Sequence, residues 1–384
     1  MTFKILICDL VGLAFDASGR PDPKEVQAHI VIKGGAFHLG SEAPALPGKL
    51  NFYYLPDIST RDEILALTGE GQFDAVIVAA TFIPADAQFK RGGVRIGAGT
   101  GNMGSASWGG PNGVGGSAPL MNTPGFNARA TAQMTMKALL NFRPDLPFAA
   151  LHARVVGGGF DTGKNLREFP TAKLEGQTIA ILGYGNIGRE VARLAAGFGM
   201  KVKVFARVHH HTRIAADGFV PFANLIEAVH LVDVISVHTG LGVLDAKAQR
   251  YSNQGVVDAA VLSALNRGAT VLNFDRGECV DVVALDAALA SGHVAHAAID
   301  ADIFKSADGK LSGPMVPYLP LASKYAGHIL LLPHAAADTD HPSRVAGAKQ
   351  AIDQIFDAIL HKRVVNLKGD LPLGYTDGGI RLGV

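Results

Sequence analysis

The segment Thr178–Glu190, TIAILGYGNIGRE, constrains the fold more than any other stretch of this chain. Ile179–Leu182 form a short apolar run of the kind that makes a buried strand. Gly183, Gly185 and Gly188 then give G-x-G-x-x-G, and a helix-like segment follows with Ile187, Val191, Leu194 and Ala195 on one apolar stripe. The first glycine makes the tight turn, the second lets backbone reach a pyrophosphate, and the third lets helix and strand pack closely. The helix N-terminus adds free N–H groups and the positive end of its dipole. In a chain with 46 glycines the triplet alone is weak evidence. Strand, turn and helix in the right order make it a dinucleotide-binding turn, with Gly183, Gly185, Asn186, Ile187 and Gly188 as its contacts.

From Thr178 onward, apolar runs alternate with helical periods. Thr178–Gly183, Val202–Ala206, Val234–Val237, Thr270–Phe274, Ala297–Ile299 and Ile329–Leu332 read as strands. Ile187–Gly199, Asn224–Val229, Ala259–Leu265 and Val283–Ser291 read as helices, with Gly199 and Gly292 as stops. This alternation predicts a parallel, doubly wound sheet. The gap Phe304–His328 carries Gly and Pro without a helical period and reads as a long loop. The N-terminal part is a second α/β region. Its strands are expected at Lys4–Leu10, Ala28–Ile32, Phe52–Leu55 and Ala75–Ala79, with helices at Asp62–Leu67 and Asn127–Leu140. The last helix, Pro342–Leu360, is expected to return to this region and make it discontinuous.

Composition narrows the class of function. A chain of 384 residues, 48% hydrophobic, can bury one large core or two medium ones. A formal net charge of +1 supplies no global attraction to nucleic acid or to an anionic membrane, so neither is an expected partner. Cys8 and Cys279 are far apart and suggest no disulfide framework, which fits a reducing cytoplasm. Asp9 interrupts the apolar N-terminus MTFKILICDLVGLAF, which therefore reads as a first strand and not a signal peptide. No uninterrupted apolar run is long enough to span a bilayer.

Three segments after the glycine turn carry the chemistry: Val271–Asp281 (VLNFDRGECVD), Ala297–Phe304 (AAIDADIF) and Leu330–Ser343 (LLLPHAAADTDHPS). Each starts in an apolar strand and ends in polar residues, so all three ends should meet at the carboxyl edge of one sheet, where open α/β sheets bind ligands. Reducing a carbonyl calls for a cation, a proton donor and orienting amides beside the hydride source. Arg276 suits the cation, because its planar fork grips a carboxylate. His334 suits the proton donor, since it titrates near neutrality. Asp300 suits an acceptor for a nicotinamide carboxamide. After Gly97 the chain becomes glycine-rich, GAGTGNMGSASWGGPNGVGGSAP, and reads either as a flexible linker or as a backbone-lined substrate loop, exposed with its Trp108.

Taken together, GYGNIG, NFDRGECVD, AAIDADIF and LLPHAAADT resemble the D-isomer-specific 2-hydroxyacid dehydrogenase family, and GAGTG with NTPGFNARATAQ looks most like its phosphoglycerate dehydrogenases. The resemblance implies two doubly wound parallel-sheet domains. A Rossmann nucleotide-binding domain, residues 127–334, would be inserted in a discontinuous flavodoxin-like substrate domain made of residues 1–126 and 335–384. It implies a homodimer, and a substrate pocket between domains that close over it. It also implies Arg276 as substrate cation, His334 as acid/base, and Ala98, Gly99, Thr100, Gly101 and Asn102 as amides for the substrate carboxylate. His238, Thr239, Asp300 and His334 would join the glycine turn in holding the cofactor.

Two departures stand out. The family carries a glutamate shortly after the aspartate matching Asp300, where it supports the catalytic histidine; here Lys305 takes that place. Asp302, Asp308, Asp338 and Asp340 are the candidate substitutes. The second departure lies in KVKVFARVHHHTR, where an NAD site would carry an acid at the strand end. Ala206 stands there, followed by Arg207, so NADP is favoured over NAD, with His209, His210, His211 and Arg213 adding positive charge. Three adjacent histidines without a nearby carboxylate or cysteine are not read as a metal site.

The function expected is hydride transfer between a nicotinamide and C2 of a small 2-oxo or 2-hydroxy acid. The pair 3-phosphoglycerate and 3-phosphohydroxypyruvate is one candidate, although Gly97 replaces an arginine common in phosphoglycerate dehydrogenases. The alternatives are a glyoxylate/hydroxypyruvate-type reductase, or a dinucleotide-sensing interaction protein with little catalysis.

Overall fold

Largely apolar strands must be covered on both faces, and each of the two main sheets in this protein is. The computed structural model describes residues 2–142, 148–169, 172–245, 247–248, 250–306, 308–334 and 340–381. The chain divides into two compact units: Met1–Ala130 with Lys305–Lys310 and Ala335–Val384, and Thr131–Phe304 with Leu311–His334. Strands of the two main sheets are numbered together in chain order.

The first unit holds β1 (Phe3–Cys8), β2 (Ala36–Leu39), β3 (Leu50–Leu55), β4 (Ala75–Val78), β5 (Gly92–Arg95) and β6 (Leu120–Asn122). The second holds β7 (Thr178–Leu182), β8 (Lys201–Phe205), β9 (Val220–Phe222), β10 (Val234–Val237), β11 (Ala269–Asn273), β12 (Val294–Ala301) and β13 (Ile329–Pro333). The last strand, β14 (Leu367–Lys368), returns to the first unit and pairs antiparallel with β6. The first sheet runs β14-β6-β5-β4-β1-β3-β2. Ile5 and Ile7 of β1 face a core shared with Val345, Ala348, Ile352 and Ile355 of the long helix His341–Phe356. Leu6 and Cys8, one residue out of phase, face a second core with Tyr53 and Trp108.

The second sheet is parallel throughout, in the order β13-β12-β11-β10-β7-β8-β9. Ala180 and Leu182 face one core while Ile179 and Ile181 face the other. From β7 the chain runs to β8 on one side and later to β10 on the other, so the turn after β7 opens at a topological switch point.

Three local expectations are corrected. Ala28–Ile32 belongs to a helix, Lys24–Ile32, because Val26 and Ile30 share its buried face while Val31 and Ile32 are 58% and 82% exposed. The stretch Phe304–His328 contains a short helix, Leu319–Lys324, with a proline in its first turn where no amide partner is needed. The glycine-rich stretch after Gly97 is no flexible linker. Trp108 is fully buried, donates from Nε1 to the Met103 carbonyl at 2.7 Å, and stacks on Phe89. A Cβ on Gly116 would lie 2.2 Å from Trp108 Cα, so close approach dictates that glycine. Among the described residues no helix is long and apolar enough to cross a membrane.

Candidate active site

The carboxyl ends of β11, β12 and β13 lie side by side, and each delivers one group. Arg276 follows β11, Asp300 lies near the end of β12, and His334 directly follows β13. His334 Nδ1 donates to Asp300 Oδ1 at 2.8 Å, and its backbone N–H donates to the Ala301 carbonyl. An ionised carboxylate can only accept, so the pair fixes the tautomer and leaves Nε2 to face a reacting group. Asp300 is almost wholly buried, whereas the His334 side chain keeps 22% of its surface exposed. Among the described residues the partner of His334 is therefore Asp300, and none of the described candidates for the missing glutamate. Asp302 pairs instead with Arg276, Asp308 turns back to Ser306 and Lys310, and Asp340 caps the helix His341–Phe356. Lys305 is exposed, and Asp338 lies outside the described residues. The signal available in the sequence was that Asp300 and His334 end neighbouring strands.

Arg276 is held by its backbone as well as by its charge. Its carbonyl accepts from Asn273 Nδ2 at 2.9 Å and from the Cys279 N–H at 3.0 Å. Tyr318 Oη donates to the carbonyls of Gly277 and Val280 in the same turn. Asp275, beside Arg276, accepts from the Gly240 N–H. Burial pushes its carboxyl up, against the opposing pull of that N–H and of the Arg276 and His334 charges. Burial, and then Asp275, push the Cys279 thiol up to about 12, so it stays protonated and is no nucleophile.

The glycine turn has the form its spacing predicts. Gly183 has φ +97° and a Cβ there would meet the His238 carbonyl at 2.3 Å; one on Gly188 would meet the Gly183 carbonyl at 2.1 Å. Gly185 has nothing within 4 Å of its Cβ position. It caps the helix Asn186–Gly197 with no side-chain hydrogen bond, leaving the first-turn N–H groups of Asn186, Ile187 and Gly188 open. That cradle fits a pyrophosphate. His238 Nε2 lies 2.8 Å from Ser236 Oγ, and burial lowers the imidazole pKa to about 3, so it is neutral. Thr239 follows it at the end of β10. After β8, Ala206 is buried and Arg207 exposed. His209 and His210 have ring centroids 4.0 Å apart, and His211 Nε2 donates to the Ala206 carbonyl at 3.0 Å. Burial first, then the charges of His209, Arg207, Arg213 and His211, lower the His210 pKa. No metal-holding cluster of His, Cys, Asp or Glu occurs among the described residues.

In the first unit, among the described residues, no group accepts from the backbone N–H of Ala98, Gly99, Thr100, Gly101 or Asn102. The loop is nevertheless fixed. Thr100 Oγ1 donates to the Pro111 carbonyl at 2.7 Å, and Asn102 Nδ2 donates to the carbonyls of Ala79 and Thr81. Gly97 has φ +115°, and its Cβ position lies 2.0 Å from Arg95 Nη1, so an arginine at 97 would be strained and obstructed. Five consecutive amides without an acceptor, on a braced loop, are available to an anion.

Residues 147–336 match the family described as D-isomer specific 2-hydroxyacid dehydrogenase, NAD binding domain. The chain is 29% identical to the D-3-phosphoglycerate dehydrogenase of Bacillus subtilis over 212 residues, 54% of this chain and 38% of that protein. Across the most similar curated relatives the matched part spans 31–56% of their own length. Among solved structures, the NAD+-bound 3-phosphoglycerate dehydrogenase of Entamoeba histolytica superposes with TM-score 0.64 at 18% identity, covering 94% of this chain and 96% of that one. An NADPH-dependent glyoxylate/hydroxypyruvate reductase from Sinorhizobium meliloti gives 0.61 at 19% identity, covering 97% and 99%. At such identities the structural likeness establishes the fold.

Proposed function

The chain belongs to the D-isomer-specific 2-hydroxyacid dehydrogenase family, and on that premise we propose that it reduces a small 2-oxo acid to the 2-hydroxy acid, or runs the reverse reaction. The observation that carries the reading is the joint placement of Arg276, Asp300 and His334 at three adjacent strand ends. A bound nicotinamide supplies or receives the hydride. Arg276 polarises the carbonyl and holds the neighbouring carboxylate, and the Ala98–Asn102 amides are the first unit's own candidates for a substrate anion. His334 gives its Nε2 proton to the developing alkoxide, and Asp300 fixes the ring. Asp300 thereby does the work of the absent glutamate and stays the candidate acceptor for the carboxamide.

We propose NADP as the favoured cofactor. Gly183, Gly185, Asn186, Ile187 and Gly188 would cradle the pyrophosphate, with His238 and Thr239 at the adjoining strand end. Arg207 would meet the 2′-phosphate, because no acidic residue stands between Lys201 and Ala216 to repel it. We also propose a homodimer. The helix Phe148–Val156 buries none of its residues, with Phe148 78% and Val156 72% exposed, and a second copy would cover it. Val155→Glu with Val156→Glu should then halve the mass measured by light scattering. Buried, unbridged Cys8 and Cys279 suit a cytoplasmic setting.

The test is loss of reduced-nicotinamide absorbance with NADPH and NADH separately, against pyruvate, glyoxylate, hydroxypyruvate and 3-phosphohydroxypyruvate. Turnover of at least one acid, with NADPH preferred, is expected. Arg276→Ala should act mainly on KM and His334→Ala mainly on kcat; retained turnover in both would sink the assignment. Cofactor binding without turnover on any acid would favour the sensing protein.

A further inference from the structure

Resting on that reading, we infer that Asp302 sets the charge class of the substrate: a mono-anionic 2-oxo acid whose remainder is uncharged, and not a phosphorylated or dicarboxylic one. Asp302 Oδ2 lies 3.0 Å from Arg276 Nη1, with the two side chains 31% and 16% exposed. Neither partner is a loose surface group. The Asp302 carbonyl accepts from the Met315 N–H at 3.0 Å, and Gly313, at φ +101°, abuts it so closely that a Cβ would lie 2.8 Å away. The turn bearing Arg276 is pinned by Asn273 and Tyr318. The pair thus joins two braced elements, and its geometry does not have to be recruited when substrate arrives.

The charge balance follows from the groups around it. Arg276 and a protonated His334 bring two positive charges, and Asp300 and Asp302 bring two negative ones. Arg276 is therefore already half-neutralised before it meets a substrate. One of its nitrogens is engaged by Asp302, and the rest of its fork can take a single carboxylate. A second anionic group on the substrate would feel Asp302 at short range. Through an effective dielectric of about 20, one unit charge some 10 Å away changes affinity roughly tenfold. An uncharged remainder is tolerated there.

The experiment compares kcat/KM for hydroxypyruvate and 3-phosphohydroxypyruvate, with pyruvate and oxaloacetate as a second pair, in the wild type and in Asp302→Asn. The amide keeps the shape and removes the charge. The wild type should prefer each mono-anion by about tenfold or more. Asp302→Asn should shift the ratio about tenfold toward the dianion, chiefly through KM, and added salt should shrink the shift. Because the ratio compares two substrates on one protein, a general loss of folded enzyme cancels. Wild-type preference for the phosphorylated acid would overturn the inference whether or not the variant folds. An unchanged ratio in the variant would overturn it alone, leaving the dehydrogenase reading in place. Failure of the wild type on every acid would overturn that reading, and this inference with it.

Discussion

The turn after β7 and the stretch from Gly97 to Gly116 are both rich in glycine, yet they use it for different ends. In the first, Gly183 and Gly188 are dictated by backbone a little over 2 Å away, and Gly185 by nothing in the protein. A residue with open space around it, at the start of an uncapped helix, is small for the sake of a ligand. In the second, Gly109 and Gly116 are small because the chain folds tightly around a buried Trp108. The open amides of Ala98–Asn102 lie at its beginning, braced by Thr100 and Asn102. Glycine count therefore says little, and what a Cβ would strike says a great deal.

Substitution at these glycines tests the distinction directly. The largest effect is expected for Gly109→Ala. It combines φ +82° with a Cβ 1.7 Å from the Val114 carbonyl, and should cost about 3 kcal/mol or more in urea unfolding. Gly183→Ala should cost about 2 kcal/mol and abolish cofactor binding, because the strain and the clash with the His238 carbonyl lie in the turn itself. A full-affinity Gly183→Ala would break the account of that turn. Gly185→Ala sharpens the contrast. Its φ of −79° suits any residue, so stability should move by no more than about 1 kcal/mol while NADPH affinity, read by fluorescence titration, falls at least about tenfold. Loss of both together would mean that Gly185 is structural after all.

A separate effect concerns pH. His238, beside the turn, has its pKa lowered to about 3 by burial, so the unfolded chain binds its proton more readily than the folded one. Its contribution is fully present above pH ~6.5, the ordinary histidine value, and declines as pH falls toward 3. Unfolding free energies measured between pH 7 and 4 should fall, and fall less steeply in His238→Gln. Equal slopes in the two proteins would contradict this role.

Much of this was legible in the sequence. The second sheet could be read because its strands are largely apolar and separated by helical periods, and Arg276, Asp300 and His334 because each lies at the end of such a strand. Ala28–Ile32 reads as a strand because a short, mostly apolar run has no decisive period, and only the partner of Val26 and Ile30 shows which face is buried. The His334 partner was sought along the chain, where the missing glutamate would lie. It is found across the sheet, since the register sets Asp300 beside Leu332, two residues before His334. Trp108 looked exposed amid glycines because close packing of backbone leaves no hydrophobic pattern to read.

Coupling between His334 and Asp300 tests the central claim most directly: kcat on the acid turned over by the wild type, for His334→Gln, Asp300→Asn and the double variant. If the two act as one unit, each single change slows turnover by about a hundredfold or more, and the double variant is no slower than the worse single. Multiplied losses in the double variant, or an Asp300→Asn protein as fast as wild type, would contradict the account.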